Sequence, residues 1–238
     1  MIRRGSMASR IVKEWHVLST LAHAVVPALG RFDVTTDVVT EIAPGSIIAP
    51  NHTSLVDPGL VLAAVRRLGA EPVFLAAAGL WRIPVLGHVL AREGHVPVRR
   101  GTDTAAGALD AAAEALADGR VVVIYPEGRL PRRPDSGEAE PGPFRTGLAR
   151  LALATSAPVV PVGQAGARRV TSGSRAKQIT GLLTAPLRRP ALHVHVGTPV
   201  HLAGDVPAAT AHARAAVTGA WRKAVGRLGP HAVASREG

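Results

Sequence analysis

No cysteine occurs anywhere in the 238 residues. That one absence excludes a disulfide framework, a thiolate zinc site and a cysteine nucleophile, and it fits a reducing compartment. Aromatic residues make up only 3% of the chain, against a hydrophobic fraction of 47%. The core must therefore be built from alanine, valine and leucine. The stacking platforms on which single-stranded nucleic acid lies are correspondingly scarce. No stretch approaches the roughly 20 consecutive apolar residues of a spanning helix. A long uncharged run, between Glu14 and Arg31, is interrupted by His16, His23 and Pro27. Arg3 and Arg4 are not followed by a compact apolar run with a small-residue cleavage site, so no secretory leader is expected.

Negative charge is also in short supply. Lys and Arg number 28 against 17 Asp and Glu, a net charge of +11 with a pI near 11.5. Lysine contributes only Lys13, Lys177 and Lys223. The cations are thus almost all arginine, which grips phosphate oxygens bidentately. Nucleic acid, an anionic membrane surface, a phosphorylated substrate and an acidic carrier protein all suit such a charge. An arginine excess serving only solubility is the alternative. No nucleic-acid-binding motif is present, and no nucleic-acid partner is expected.

What the chain does contain is an alternation of apolar strands and helical stretches. Residues 8–29 place Ile11, Trp15, Leu18, Ala22, Val25 and Leu29 at steps of three and four, with Lys13, His16, Thr20 and His23 on the other face. This is an amphipathic helix that either lies in a membrane interface or packs on the core. Strands are predicted at 32–42, 45–49, 72–78, 94–98, 121–125, 158–163, 192–196 and 199–202, and helices at 58–68, 103–118, 148–154 and 207–228. Residues 80–87 read as too irregular for a simple helix, 131–143 as a mobile loop, and 164–190 as poorly structured. The alternation predicts an α/β fold: one domain (31–230), with a mostly parallel or mixed central sheet flanked by helices, preceded by the amphipathic segment (8–30).

The chemistry-bearing stretch is Asn51-His52-Thr53-Ser54-Leu55-Val56-Asp57, between the strand at 45–49 and the helix at 58–68. Chemistry in α/β folds sits at the carboxyl ends of strands. On one continuous helix, His52 and Asp57 would point about 140° apart. The spacing therefore predicts that His52 lies in the turn and that the chain folds back to bring imidazole and carboxylate together. A carboxylate on one ring nitrogen fixes the tautomer and makes the other nitrogen a general base. The competing reading is structural, with Ser54-x-x-Asp57 as a capping box.

Three further stretches follow at later strand ends: Gly94-His95-Val96-Pro97-Val98-Arg99-Arg100, Tyr125-Pro126-Glu127-Gly128-Arg129, and Val159-Val160-Pro161-Val162. With the histidine turn they form four blocks, in order, and the set resembles the 1-acylglycerol-3-phosphate acyltransferase family across roughly residues 30 to 200. The Ile83-Pro84-Val85-Leu86-Gly87 segment is also similar to family sequence. The resemblance implies acyl transfer from acyl-CoA or acyl carrier protein to the hydroxyl of lysophosphatidate, with glycerol 3-phosphate or another lysolipid as the alternative acceptor, and without a covalent acyl-enzyme. His52 is then the base and Asp57 its orienting partner. Arg100 holds the acceptor phosphate, and Glu127, Gly128 and Arg129 shape the acceptor site. Asn51 and Pro161 belong to the acyl side or to the scaffold. No metal or bound cofactor is implied. The implied place is cytoplasmic, on the inner face of the cell membrane, with its anionic surface as partner. Two departures stand out. The family's usual Phe-Pro-Glu-Gly-Thr-Arg becomes Tyr125-Pro126-Glu127-Gly128-Arg129, so the hydroxyl is missing and the arginine arrives one residue early. Arg99 stands where an acidic or neutral residue is common.

One rival site deserves a test. His193 and His195 alternate on a strand and share a face, with His201 nearby, a spacing that can bind zinc. The simpler reading is a strand face with polar tips.

Overall fold

The computed structural model describes residues 17–37, 41–99, 104–131 and 135–229. The first half of the amphipathic segment, with Ile11, Lys13, Trp15 and His16, lies outside the described residues, and so does Arg100.

Seven strands form one sheet in the order β1-β7-β6-β2-β5-β3-β4. They are β1 (Arg31–Thr36), β2 (Ile47–Pro50), β3 (Pro72–Ala77), β4 (Val96–Val98), β5 (Val121–Val123), β6 (Val159–Ala165) and β7 (Ala191–Val196). Every pairing is parallel except β6 with β7. The sheet is therefore mixed, and the carboxyl ends of β6, β2, β5, β3 and β4 share one rim. Side chains alternate between the faces along each strand. Ile48, Val123, Val160 and Val162 join one buried cluster, while Ile47, Ala49, Val122 and Val159 join another.

Helices α1 (Val17–Leu29), α2 (Asp57–Arg67) and α6 (Arg175–Arg188) cover the first face; α4 (Thr104–Ala117), α5 (Gly147–Thr155) and α7 (Val206–Gly226) cover the second. Helix α1 does pack on the core, burying Ser19, Ala22 and Val26, with Leu18 and Leu29 half-covered. It also leaves Val17, Leu21 and Val25 exposed.

Three local expectations are corrected, and the loop at 131–143 gains named contacts. Residues 164–190 are not unstructured: a short 3-10 turn (Ala167–Arg169) leads into α6, which Ser174 caps by accepting the Lys177 N–H. The pattern hid this helix because its apolar side chains face outward. Residues 80–87 complete a 3-10 turn and then start α3 (Pro84–Arg92), where proline serves as the first helical residue. Residues 199–202 form no strand, only a single bridge between Val200 and Val159. The described part of 131–143 is a tethered loop: Glu138 accepts the Gly166 N–H, and Arg214 of α7 donates to the carbonyls of Pro141 and Gly142.

Candidate active site

Strand β2 ends at Pro50, and the histidine turn follows directly. The turn folds back as its spacing predicts. Asp57, fully buried as the first residue of α2, brings Oδ2 to 3.0 Å from His52 Nδ1. The same oxygen accepts the backbone N–H groups of Thr53 at 2.5 Å and Ser54 at 2.8 Å. The carboxylate thus replaces water with donors from the turn it closes, which is what allows a charge there without solvent. Only the acidic half of the capping box forms. The Ser54 hydroxyl turns away to Thr171 and to the carbonyls of Ala167 and Thr171.

The imidazole keeps 17% of its side-chain surface open to solvent. Its ring lies over Tyr125, with centroids 4.2 Å apart and planes inclined by 32°. Phe74 supports Tyr125 from behind. The Tyr125 hydroxyl is sealed from water, and this burial, helped by the Asp57 charge, raises its pKa well above the ordinary phenol range.

The other blocks meet at this rim because β6, β2 and β5 are adjacent and parallel. Asn51 is fully buried. Its amide accepts the Gln164 N–H at 2.7 Å and donates to the Gln164 carbonyl at 3.1 Å, and the Gln164 side chain donates back to the Asn51 carbonyl. Asn51 therefore staples the end of β2 to the end of β6. Glu127, just past β5, accepts the His52 backbone N–H at 2.8 Å and the Gly142 N–H at 3.0 Å. Burial raises its pKa, opposed by those two donors. Gly128 has φ +71°, a left-handed turn that a side chain would strain, and an added Cβ would meet Arg145 Cγ at 3.3 Å. Arg129 follows on the exposed outside of the turn.

Pro161 sits inside β6, opposite Ala49 and one pair before the end of β2. Its carbonyl accepts the Gly197 N–H at 2.8 Å where the β6–β7 ladder stops, so its missing N–H breaks no rung there. Strand β4 ends at the same rim, two strands beyond β5, and carries Arg99 there.

Four participants, Arg168, Thr171, Glu138 and Gln164, were not picked out by sequence. Arg168 is buried and donates to the Thr53 carbonyl at 3.3 Å and to the Asp135 carbonyl, tying the histidine turn to the loop. Thr171 anchors Ser54. Glu138 accepts the Gly166 N–H at 2.8 Å, and burial lifts its pKa to about 7. Gln164, a lone amide ending an apolar strand, was the one legible signal. A cleft of about 500 Å³ opens beside the turn, lined by Thr53, Ser54, Leu55, Arg168, Thr171 and Ser174 among others.

The histidines of the rival site are engaged elsewhere. The Thr35 hydroxyl bridges His193 Nε2 (2.9 Å) and His195 Nδ1 (2.8 Å), while Asp33 and Asp37 take the other nitrogens. Among the described residues no group of His, Asp and Glu side chains is arranged to hold a metal ion.

Comparison with known proteins agrees with this arrangement. A family model described as Acyltransferase matches residues 31–164, more than half of the chain. A chloroplastic 1-acyl-sn-glycerol-3-phosphate acyltransferase of Brassica napus is 29% identical over 125 residues, 52% of this chain and 34% of that protein. A 1-acyl-sn-glycerol-3-phosphate acyltransferase of Borreliella burgdorferi is 33% identical over 117 residues, 49% of this chain and 44% of that protein. The chain therefore matches less than half the length of these two curated relatives. The crystal structure of the 1-acyl-sn-glycerophosphate acyltransferase PlsC of Thermotoga maritima superposes with a TM-score of 0.65 at 20% identity, covering 87% of this chain and 77% of that one. This last likeness is one of fold. With the family model spanning the histidine turn and the rim residues around it, the chain belongs to the acyltransferase family.

Proposed function

We propose that the protein transfers a fatty acyl group from an acyl thioester, acyl-CoA or acyl carrier protein, to the free hydroxyl of lysophosphatidate, yielding phosphatidate. The observation that carries this reading is the His52–Asp57 contact in a partly open turn at the rim of the sheet. Asp57 holds the proton on Nδ1, leaving Nε2 as the base. Nε2 takes the proton of the acceptor hydroxyl as its oxygen attacks the thioester carbonyl carbon. The tetrahedral adduct then expels the thiolate, which recovers the proton from the imidazolium. The C–O bond forms, the C–S bond breaks, and the acyl group is never attached to the protein.

Tyr125 beneath the ring and the Glu127 carboxylate on the His52 N–H keep the imidazole from drifting off this trajectory. In this reading Arg100 and Arg129 bind the acceptor phosphate. Glu127 and Gly128 shape the acceptor site through the turn they build, and Asn51 and Pro161 hold the scaffold on which the acyl chain rests. The reaction uses no metal or resident cofactor, since the thioester enters as a substrate. The protein works on the cytoplasmic leaflet, where both the lysolipid and the anionic surface are found.

Purified His52→Ala, checked for an unchanged melting temperature, is expected to lose acyl transfer by about a thousandfold or more. Wild-type turnover by that folded variant would overturn the base assignment. A screen of acyl donors against lysophosphatidate, glycerol 3-phosphate and other lysolipids identifies the acceptor. Glycerol 3-phosphate outrunning lysophosphatidate would replace the acceptor named here.

A further inference from the structure

Helix α6 is built the reverse way round for a helix of a water-soluble protein. Ile179, Leu183 and Leu187 recur at four-residue spacing along its outer side, 61%, 73% and 87% exposed, with Leu182 and Pro186 beside them. The side turned to the protein carries Gly181, Thr184 and Ala185. Gly181 rests so close to the Val170 carbonyl that an added Cβ would lie 2.2 Å from its oxygen. Arg188 ties the helix to the preceding turn by donating to the Arg169 carbonyl at 3.0 Å, its guanidinium steadied within α6 by the Gly181 carbonyl at 2.7 Å and the Thr184 hydroxyl at 3.0 Å. Rolling the helix to bury its leucines would drive one of them into Val170 and break the bond to Arg169. The apolar stripe is held outward by construction, and a contiguous exposed patch of this kind marks a surface made for contact.

What it contacts is indicated by charge and place. Helix α1 lies against α6 on the same face of the sheet and turns Val17, Leu21 and Val25 outward as well. Neither helix contains an acidic residue, while Arg175, Lys177, Arg188 and Arg189 cluster at the two ends of α6. A second copy docking symmetrically would set these cations against themselves. A surface that is apolar within and anionic at its boundary matches both features. The first turn of α6 also lines the cleft beside the histidine turn, whose Leu55 is 63% exposed.

We propose that α6, together with the outer side of α1, docks the protein on an anionic lipid bilayer. Ile179, Leu183 and Leu187 enter the boundary of the acyl chains, and Arg175 and Lys177 meet lipid phosphates. The choice of a bilayer as occupant rests on the lipid-acceptor reading above; the outward setting of α6 does not.

The test uses the full chain and a triple variant, Ile179→Ser with Leu183→Ser and Leu187→Ser, whose side chains support nothing in the fold. Sedimentation with phosphatidylglycerol vesicles is expected to fall about a hundredfold in partition coefficient for the variant. Its melting temperature and its kcat/KM on a short-chain, water-soluble lysophosphatidate stay unchanged, while activity on vesicle-borne acceptor drops. Arg175→Gln and Lys177→Gln each lower binding about fivefold on phosphatidylglycerol and not on phosphatidylcholine. Equal vesicle binding by wild type and triple variant would overturn the proposal. So would a wild-type dimer in sedimentation equilibrium that the triple variant dissolves, because a second copy would then be the occupant. Variant-sensitive vesicle binding without turnover of any acceptor upholds the docking surface and removes the enzymatic reading. Full turnover with variant-insensitive binding does the opposite.

Discussion

The two faces of the one sheet solve the same packing problem in different ways. Under α4, α5 and α7, small side chains such as Ala112, Ala152, Ala209, Ala213 and Ala224 let the helices approach the strands closely, and among the described residues none of the exposed large hydrophobic side chains belongs to these helices. This face buries even ionisable groups: His193 and His195 at its β1–β7 edge, both hydrogen-bonded. Under α1, α2 and α6 the core is equally dry, but α1 and α6 leave Val17, Leu21, Val25, Ile179, Leu182, Leu183 and Leu187 in water. A layer shortage does not explain the difference, since α2 is fully packed on that same face. Under the docking proposal, apolar exposure here follows function rather than failure of the fold: the second face is finished by the protein, and the first by the bilayer it would meet.

Exchanging residues between these regimes sharpens the contrast. The largest expected effect is on the finished face. Trp221→Ala removes a buried side chain of α7 and is expected to cost about 3–5 kcal/mol, lowering the melting temperature by roughly 10 °C. Leu183→Ala on α6, a comparable apolar loss by composition, is expected to change stability by no more than about 0.5 kcal/mol. Paired thermal melts of the two variants with equal shifts would erase the distinction.

A smaller effect concerns the acid buried behind the histidine turn. Folded Glu138 titrates at about 7, above its ordinary value of 4.5, because burial disfavours its charge. The native state therefore holds a proton that the unfolded chain has released. Stability is fully supported below pH ~4.5, declines as pH rises through ~7, and is level above it, by on the order of 3 kcal/mol. Glu138→Gln is expected to flatten this decline in urea titrations between pH 5 and 8. A wild-type slope in the variant would remove Glu138 as its source.

The smallest effect has the opposite sign. Burial lowers the pKa of His193 and His195 despite the pull of Asp33 and Asp37. The unfolded histidines then take up protons first, so the contribution to stability is complete above pH ~6.5 and is lost as pH falls below it. Urea midpoints of a His193→Gln, His195→Gln variant that still fell between pH 6.5 and 5 like the wild type would place the sensitivity elsewhere.

The sequence was a good guide wherever local chemistry and burial agreed. Strands β2, β5 and β6 are β-branched runs buried on both faces, so their apolar patterns mark them. The i to i+5 spacing of His52 and Asp57 excluded a shared helix and led to the fold-back turn. The reading failed where polarity was turned inside out. Helix α6 shows its leucines to solvent, so a search for an apolar face packed inward passed over it. Helix α3 was hidden by a proline and a glycine that read as breakers until one proved to be its first residue. At the rim, Asn51 and Glu127 were visible by motif, but their bonds to Gln164 and Gly142 were not, because those bonds join separate segments of the chain, 113 and 15 residues apart.

Composition and spacing alone determined that this is a cysteine-free α/β chain with a basic surface and an imidazole–carboxylate pair at a strand end, because each of these depends on residues close in sequence or on simple counts. Tertiary structure alone decided that Glu127 holds the His52 backbone, that Arg168 ties the turn to a distant loop, and that α6 faces outward. Those depend on which strands become neighbours and on one glycine's close approach to a carbonyl, and no property of a linear chain specifies such distances before it folds.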